Sequence, residues 1–257
     1  VGFKPSYGKV MTAGIKALSP SLDTMGCFGR SVGDVALGVA AMSDDLGLAE
    51  IAELNNKPRI AICKTNDWSL ASKETAGAIA LARFTAEAIA KGAVRDIDLP
   101  SACQEITLIQ TRIMSYEMAR TLSFEQKHFG KKISSVLSQQ LVEGSKINYE
   151  QYQKDMHYAK VARFAIDQIF QNEVDIMIAP SATGEAPSAK DGTGNPVFCR
   201  GWTLLGLPCI NLNISSGPNG LPIGVQLIAG PGKDHFLLSA ARAFAKALPD
   251  PVLRDQA

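Results

Sequence analysis

A serine bracketed by glycines is the first arrangement here that invites chemistry. Gly29-Arg30-Ser31-Val32-Gly33 has the G-x-S-x-G spacing of a nucleophile elbow, in which a sharp strand-to-helix turn lifts the hydroxyl clear of the backbone. His235 would then be the base of a serine esterase. The elbow needs a strand directly before the serine, and Ser21 to Phe28, holding Asp23, Thr24 and Gly26, lacks a buried-strand pattern. Ser31 has a competing local role. It precedes Val32, Val35, Ala36, Val39 and Ala40, with Asp34 three residues on, the pattern of a helix whose first turn is capped by a serine and an acid. A capping role is expected.

The other reactive side chains are scattered. His128, His157 and His235 have no H-E-x-x-H or similar spacing, so no metal site is expected, and each is read as structural or surface. The five cysteines (Cys27, Cys63, Cys103, Cys199, Cys209) include no C-x-x-C pair, and Cys209 lies in an apolar run where a thiol behaves as a small hydrophobe. Gly192-Thr193-Gly194 is followed by Asn195-Pro196, with no helix expected there to cradle a phosphate. Asp44, Asp45, Glu50 and Glu53 read as solvated carboxylates. No nucleophile, base and oxyanion donor assemble from these residues, so no catalytic residue is assigned within the chain and no metal or organic cofactor is expected.

The elements that would position any such group alternate between strand and helix. After the capped helix, Arg59 to Cys63 reads as a strand, Ser72 to Lys91 as a helix with Gly92 as its carboxyl cap, and Val94 to Leu99 as a further strand. A mostly helical middle runs to Phe170. Asp175 to Ala179 is a buried-type strand, followed by a Gly-, Ser-, Thr- and Pro-rich loop over 181–196. Pro208–Ile214 and Ile223–Ile228 are strand-like runs expected to form an antiparallel hairpin around Ser215 to Gly220, and a last helix covers about Phe236 to Leu248. The expected fold is α/β: a layered sandwich of helices around a mixed, mostly parallel sheet, in one domain over 1–257.

Composition narrows the function classes. The 257 residues are 46% hydrophobic and 20% charged, and 26 basic against 25 acidic side chains leave a formal charge of +1. No field of one sign covers the chain, which argues against nucleic acid and anionic membranes as partners. Apolar stretches are interrupted before a spanning length, and the scattered, odd-numbered cysteines fit a reducing, cytoplasmic setting. Val1 to Pro5 reads as a strand entered partway, so missing upstream sequence is expected; a processed terminus or a cloning choice is the alternative.

Two blocks then carry a resemblance. Val1 to Val10 (VGFKPSYGKV), followed by Ser21 to Gly26 (SLDTMG) and Arg30 to Asp34 (RSVGD), resembles the stretch after the glycine- and serine-rich signature of amidase-signature enzymes. Gly201-Trp202-Thr203-Leu204-Leu205-Gly206-Leu207-Pro208 and Gly220 to Ile228 (GLPIGVQLI) are similar to the carboxyl-terminal elements of the same family. Both blocks occur in family order, and the stretch near Tyr116-Glu117 is only loosely similar.

The resemblance implies a hydrolase of small-molecule carboxylic amides, working through a serine nucleophile, a second serine on a cis peptide and a lysine. A serine hydroxyl needs a base to take its proton, and lysine serves only where burial lowers its pKa. The family carries these three residues upstream of the block at Val1, so neither Lys4 nor Lys9 is assigned that role. The fold is expected to be incomplete at its amino-terminal side, the isolated chain inactive, and self-association through uncovered apolar surface, up to a homo-oligomer, is expected. Tyr116, Arg200, Trp202 and Thr203 are the candidate substrate-pocket residues. A non-catalytic scaffold or interaction module that keeps the fold is the alternative.

Overall fold

The computed structural model describes residues 1–257, the side chains of residues 251 and 252 excepted. In chain order the first half contains β1 (Gly2–Lys4), β2 (Cys27–Phe28), α1 (Val32–Ser43), β3 (Ile60–Ile62), α2 (Lys73–Glu87), β4 (Arg95–Asp96) and α3 (Ile106–Thr121). Then come α4 (Ser123–Phe129), α5 (Ser135–Lys146), α6 (Tyr149–Asn172), β5 (Ile176–Pro180), α7 (Val197–Leu205), β6 (Cys209–Ser216), β7 (Pro222–Ala229) and α8 (Asp234–Lys246). Helix α2 stops at Glu87, earlier than its apolar spacing suggests, and Gly92 serves the following turn at φ +79°.

The strands form one mixed sheet in the order β2-β1-β6-β7-β5-β3-β4, with helices on both sides. The α/β layering is as expected, but the balance of strand directions is not. Only β3–β4 and β3–β5 pair in parallel, while β1–β2, β1–β6, β5–β7 and β6–β7 are antiparallel. The β6–β7 hairpin sits in the middle of the sheet, and each of its outer neighbours, β1 and β5, runs antiparallel to the hairpin strand beside it. Parallel pairing is left to the β4 side.

Side chains alternate across the two faces of the sheet, so each strand divides its residues between two cores. Ile176 and Ile178 of β5, Ile210, Leu212 and Ile214 of β6, and Val225 and Leu227 of β7 pack with residues of α1, α2 and α8. The opposite residues Met177, Ala179 and Cys209 pack with α3, α6 and α7. Every residue of β5 is buried, which is why its sequence is an unbroken apolar run and not an alternating one. Burying a side chain such as Ile178 stabilises the fold by about 1.5–3 kcal/mol.

Local signals fix the helix ends. Ser31 Oγ accepts from Asp34 N at 3.1 Å and the Asp34 carboxylate accepts from Ser31 N at 3.0 Å, the reciprocal cap expected from the sequence. Gly206 closes α7 in the left-handed region at φ +72°, where a side chain would be strained, and Leu207 N reaches back to Trp202 O. That turn delivers the chain directly into β6. Among the described residues no helix is long and apolar enough to cross a membrane.

Candidate functional site

Helix α7 is positioned by its small residue. A Cβ at Gly201 would run into the side chain of Ile106, so glycine lets α7 lie close on α3. This seats Val197, Phe198, Trp202, Leu204 and Leu205 in the core and leaves Cys199 and Thr203, one turn apart, on the opposite side. There a cavity of about 330 Å³ opens between α7, the ends of β1 and β2, and the hairpin strands. Gly2, Asn211 and Gln226 lie side by side across β1, β6 and β7 as its floor, with Phe28 beyond Gly2 at the rim.

The polar groups around this cavity are largely engaged with the backbone. Ser181 Oγ donates to Gly224 O at 2.8 Å, Thr203 Oγ1 to Cys199 O at 3.1 Å, and Thr24 Oγ1 to Leu22 O at 3.2 Å. Gln226 Nε2 donates to Pro180 O at 2.6 Å and to Phe198 O at 2.8 Å, tying β7 to the end of β5 and to α7. The Lys4 ammonium is turned toward Leu207 O and Pro5 O. Cys27, Cys199 and Cys209 donate to Phe28 O, Ser181 O and Leu207 O. Burial pushes the Cys199 thiol up, only partly offset by the Lys4 charge, and the Cys209 thiol is pushed up to about 12 by burial. Both therefore stay protonated near neutral pH and are poor nucleophiles.

Of the four residues expected to contact substrate, Trp202 and Thr203 line this cavity. Arg200 points its guanidinium at Thr111 Oγ1 on α3. Tyr116 stacks on Tyr152 of α6, ring centroids 4.1 Å apart, with the Arg120 guanidinium over its face at 3.2 Å. Neither Arg200 nor Tyr116 is among the residues lining this cavity. Lys4, Ser181, Asn211 and Gln226 also line it; Lys4 and Gln226 fall inside the two blocks that carry the resemblance, whereas no motif in the sequence marks Ser181 or Asn211. The available signal was two carboxamides at the positions of β6 and β7 that alternate with Ile210, Leu212, Val225 and Leu227 and so face the other side of the sheet.

Ser31 does not have the setting of a nucleophile. A two-residue strand, β2, precedes it, but its Phe28 is 92% exposed and the pattern is that of an edge, so the segment lacks buried-strand character as the sequence suggests. Ser31 has ordinary extended backbone, φ −128° and ψ 168°, without the strain of an elbow. His235 Nε2 bonds Asp45 Oδ2 at 3.0 Å, and Asp45 also holds the Lys9 ammonium; these contacts, Lys9 first, hold the Asp45 carboxyl below its ordinary value. A helix does begin soon after Gly192-Thr193-Gly194, contrary to expectation. Its first amide, Val197 N, is taken by Asn195 Oδ1 at 3.1 Å, and the Cys199 and Arg200 amides turn onto Pro196 O.

Two further serines donate to carboxylates: Ser6 Oγ to Asp234 Oδ2 at 2.6 Å and Ser19 Oγ to Glu117 Oε2 at 2.7 Å, both pairs buried. Glu117 also accepts from Ser21 N and Tyr152 Oη, which pins the irregular segment before β2 onto α3 and α6. Among the described residues no serine is hydrogen-bonded to a lysine or histidine side chain.

A mixed sheet layered between helices, with a largely apolar cavity under α7, defines an α/β protein with a pocket suited to a small ligand. The amidase family profile matches residues 1–238, and the chain belongs to that family. It is 26% identical over 303 aligned positions to a polypeptide of the mitochondrial glutamyl-tRNA(Gln) amidotransferase of Rattus norvegicus, covering 100% of this chain and 57% of that protein. The corresponding polypeptide of the Rhodopirellula baltica amidotransferase is 27% identical, with 96% and 59% covered. Among solved structures, an amidase superposes with a TM-score of 0.83 at 23% identity, covering 96% of this chain and 57% of the other. A bacterial aryl acylamidase of the amidase-signature family gives 0.74 at 18%, with 98% and 59% covered. The chain thus spans rather more than half the length of the relatives it matches.

Proposed function

We propose that this chain is the carboxyl-terminal portion of a single amidase domain that hydrolyses a small-molecule carboxylic amide through a serine acyl-enzyme. The serine, second serine and lysine of that chemistry are supplied by residues outside the 257, and the chain by itself is inactive. The observation that carries the reading is the cavity under α7. It offers an apolar wall with Trp202 and a polar floor, the dimensions and chemistry of a site for a compact neutral ligand. Its lining serine, Ser181, has its proton on a backbone carbonyl and no base beside it, so it serves the wall and not the attack.

In this reading the reaction needs no metal or organic cofactor, because a desolvated lysine relays the proton from the attacking serine and returns it to the leaving amine. The cavity holds the acyl side of the substrate while the catalytic groups attack from outside these residues. The protein is assigned to the cytoplasm and to small-molecule amides, with neither nucleic acid nor membrane as partner, and with self-association into a homo-oligomer.

The test is to assay the 257-residue chain and the product of the whole gene against a panel of aliphatic and aryl amides. Turnover by the whole product and none by the chain is expected; turnover by the chain overturns the proposal. A second reading, a non-catalytic scaffold or interaction module, draws on one observation, the exposed Phe28 at the rim. It predicts that the whole product binds a protein partner and hydrolyses none of the panel.

A further inference from the structure

Asn211 stands apart from the other hydrogen-bonding side chains around the cavity. Of the lining hydroxyl, thiol, ammonium and carboxamide groups, it alone makes no hydrogen bond, and its Oδ1 is buried without a partner. A buried polar atom left unpaired costs about 1–3 kcal/mol, a penalty that a leucine or valine in this apolar strand would avoid. The carboxamide is therefore kept against the interest of folding, which is the pattern of a group held for a ligand.

The surroundings are shaped for it. Its cross-strand neighbour on β1 is Gly2, which fills no space, and a Cβ at Gly224 would run into the carboxamide itself. Glycines on both sides thus leave Asn211 its place on the floor, while the residue as a whole stays half-buried and reaches the cavity. The Lys4 ammonium is turned aside to backbone carbonyls, and the walls are mainly carbon. Moving a carboxylate into such a space forfeits its hydration, whereas a neutral amide gives up much less.

We propose that Asn211 is a specificity-determining residue, its unpaired Oδ1 accepting from the N–H of a small, otherwise apolar amide seated under α7. This deepens the amidase reading and rests on it for the role of the cavity. The probe is benzamide, titrated into the intact 257-residue chain and followed by the side-chain NH₂ resonances of Asn211, with ethylbenzene and benzoate as comparisons.

Benzamide is expected to shift those resonances saturably and to bind more tightly than benzoate. Replacing the residue by a near-isostere, Asn211→Leu, is expected to weaken benzamide about threefold to tenfold, the range of one net hydrogen bond, and to leave ethylbenzene unaffected. No shift in the unmodified chain, tighter binding of benzoate, or an unchanged benzamide affinity in Asn211→Leu would each overturn the assignment. Failure of the wider reading looks different: benzamide bound through Asn211, with a whole-gene product that hydrolyses no amide, removes the amidase reading and leaves this contact standing.

Discussion

Strand β6 shows two unlike surfaces. Toward α1 and α8 it turns Ile210, Leu212 and Ile214, all buried in a continuous apolar core; at the alternating positions on its other face stand Cys209, Asn211 and Asn213. The same contrast runs along a single cross-strand row of that second face, from buried Ala179 and Gln226 through half-buried Asn211 and Gly2 to the open ring of Phe28. The first face is closed by helices along its length, so every position is chosen for packing. The second is closed only where α3, α6 and α7 lie on it, and polar and glycine residues enter where that cover ends. The contrast separates what holds the sheet together from what it can offer to a ligand.

The contrast is most easily broken by substitutions one residue apart. Ile210→Ala, on the closed face, is expected to cost about 2–5 kcal/mol in urea denaturation, because it removes buried methylenes and leaves a cavity that packed neighbours cannot fill. Asn211→Leu on the open face should be neutral or slightly stabilising, since an unpaired oxygen is replaced by carbon. Equal losses would mean that both faces are ordinary core. A smaller effect separates cap from nucleophile at Ser31. Ser31→Ala should cost about 0.5–2 kcal/mol through the lost cap, with any amide turnover of the whole-gene product unchanged at saturating substrate. Abolished turnover in a folded Ser31→Ala variant would restore the esterase reading.

How much of the molecule was legible in the sequence follows from the same division. The packed elements and local signals were readable because each obeys one short-range constraint: the Ile176–Ala179 run, the hairpin around 215–220 and the Ser31–Asp34 cap all lie where expected. Strand direction was not readable, because hydrophobic alternation carries no sign of parallel or antiparallel pairing, and it misled about the balance within the sheet. The cavity was legible in part. Trp202 and Thr203 sit in a recognisable block, but Asn211 and Lys4 are brought together only by β1 pairing with β6, roughly two hundred positions away in sequence. No local pattern encodes that neighbour relation.

The smallest expected effect on stability concerns Phe28, where the open face meets solvent. A ring that is 92% exposed gains almost nothing from burial within the chain, so Phe28→Ser should change the unfolding free energy by no more than about 0.5 kcal/mol. Its effect should fall on association instead. The ring stands over Gly2 at the outer edge of the sheet, where β2 also leaves one side of its backbone unpaired among the described residues, and an apolar group beside an open strand edge favours pairing with another surface. Light scattering of the isolated chain over a range of concentrations should therefore show self-association that weakens in Phe28→Ser. If both forms are monomers, the rim is already satisfied by water, and the difference between the two faces is confined to the cavity floor. If both associate equally, the contact lies elsewhere, and the exposed edge has no special part in it.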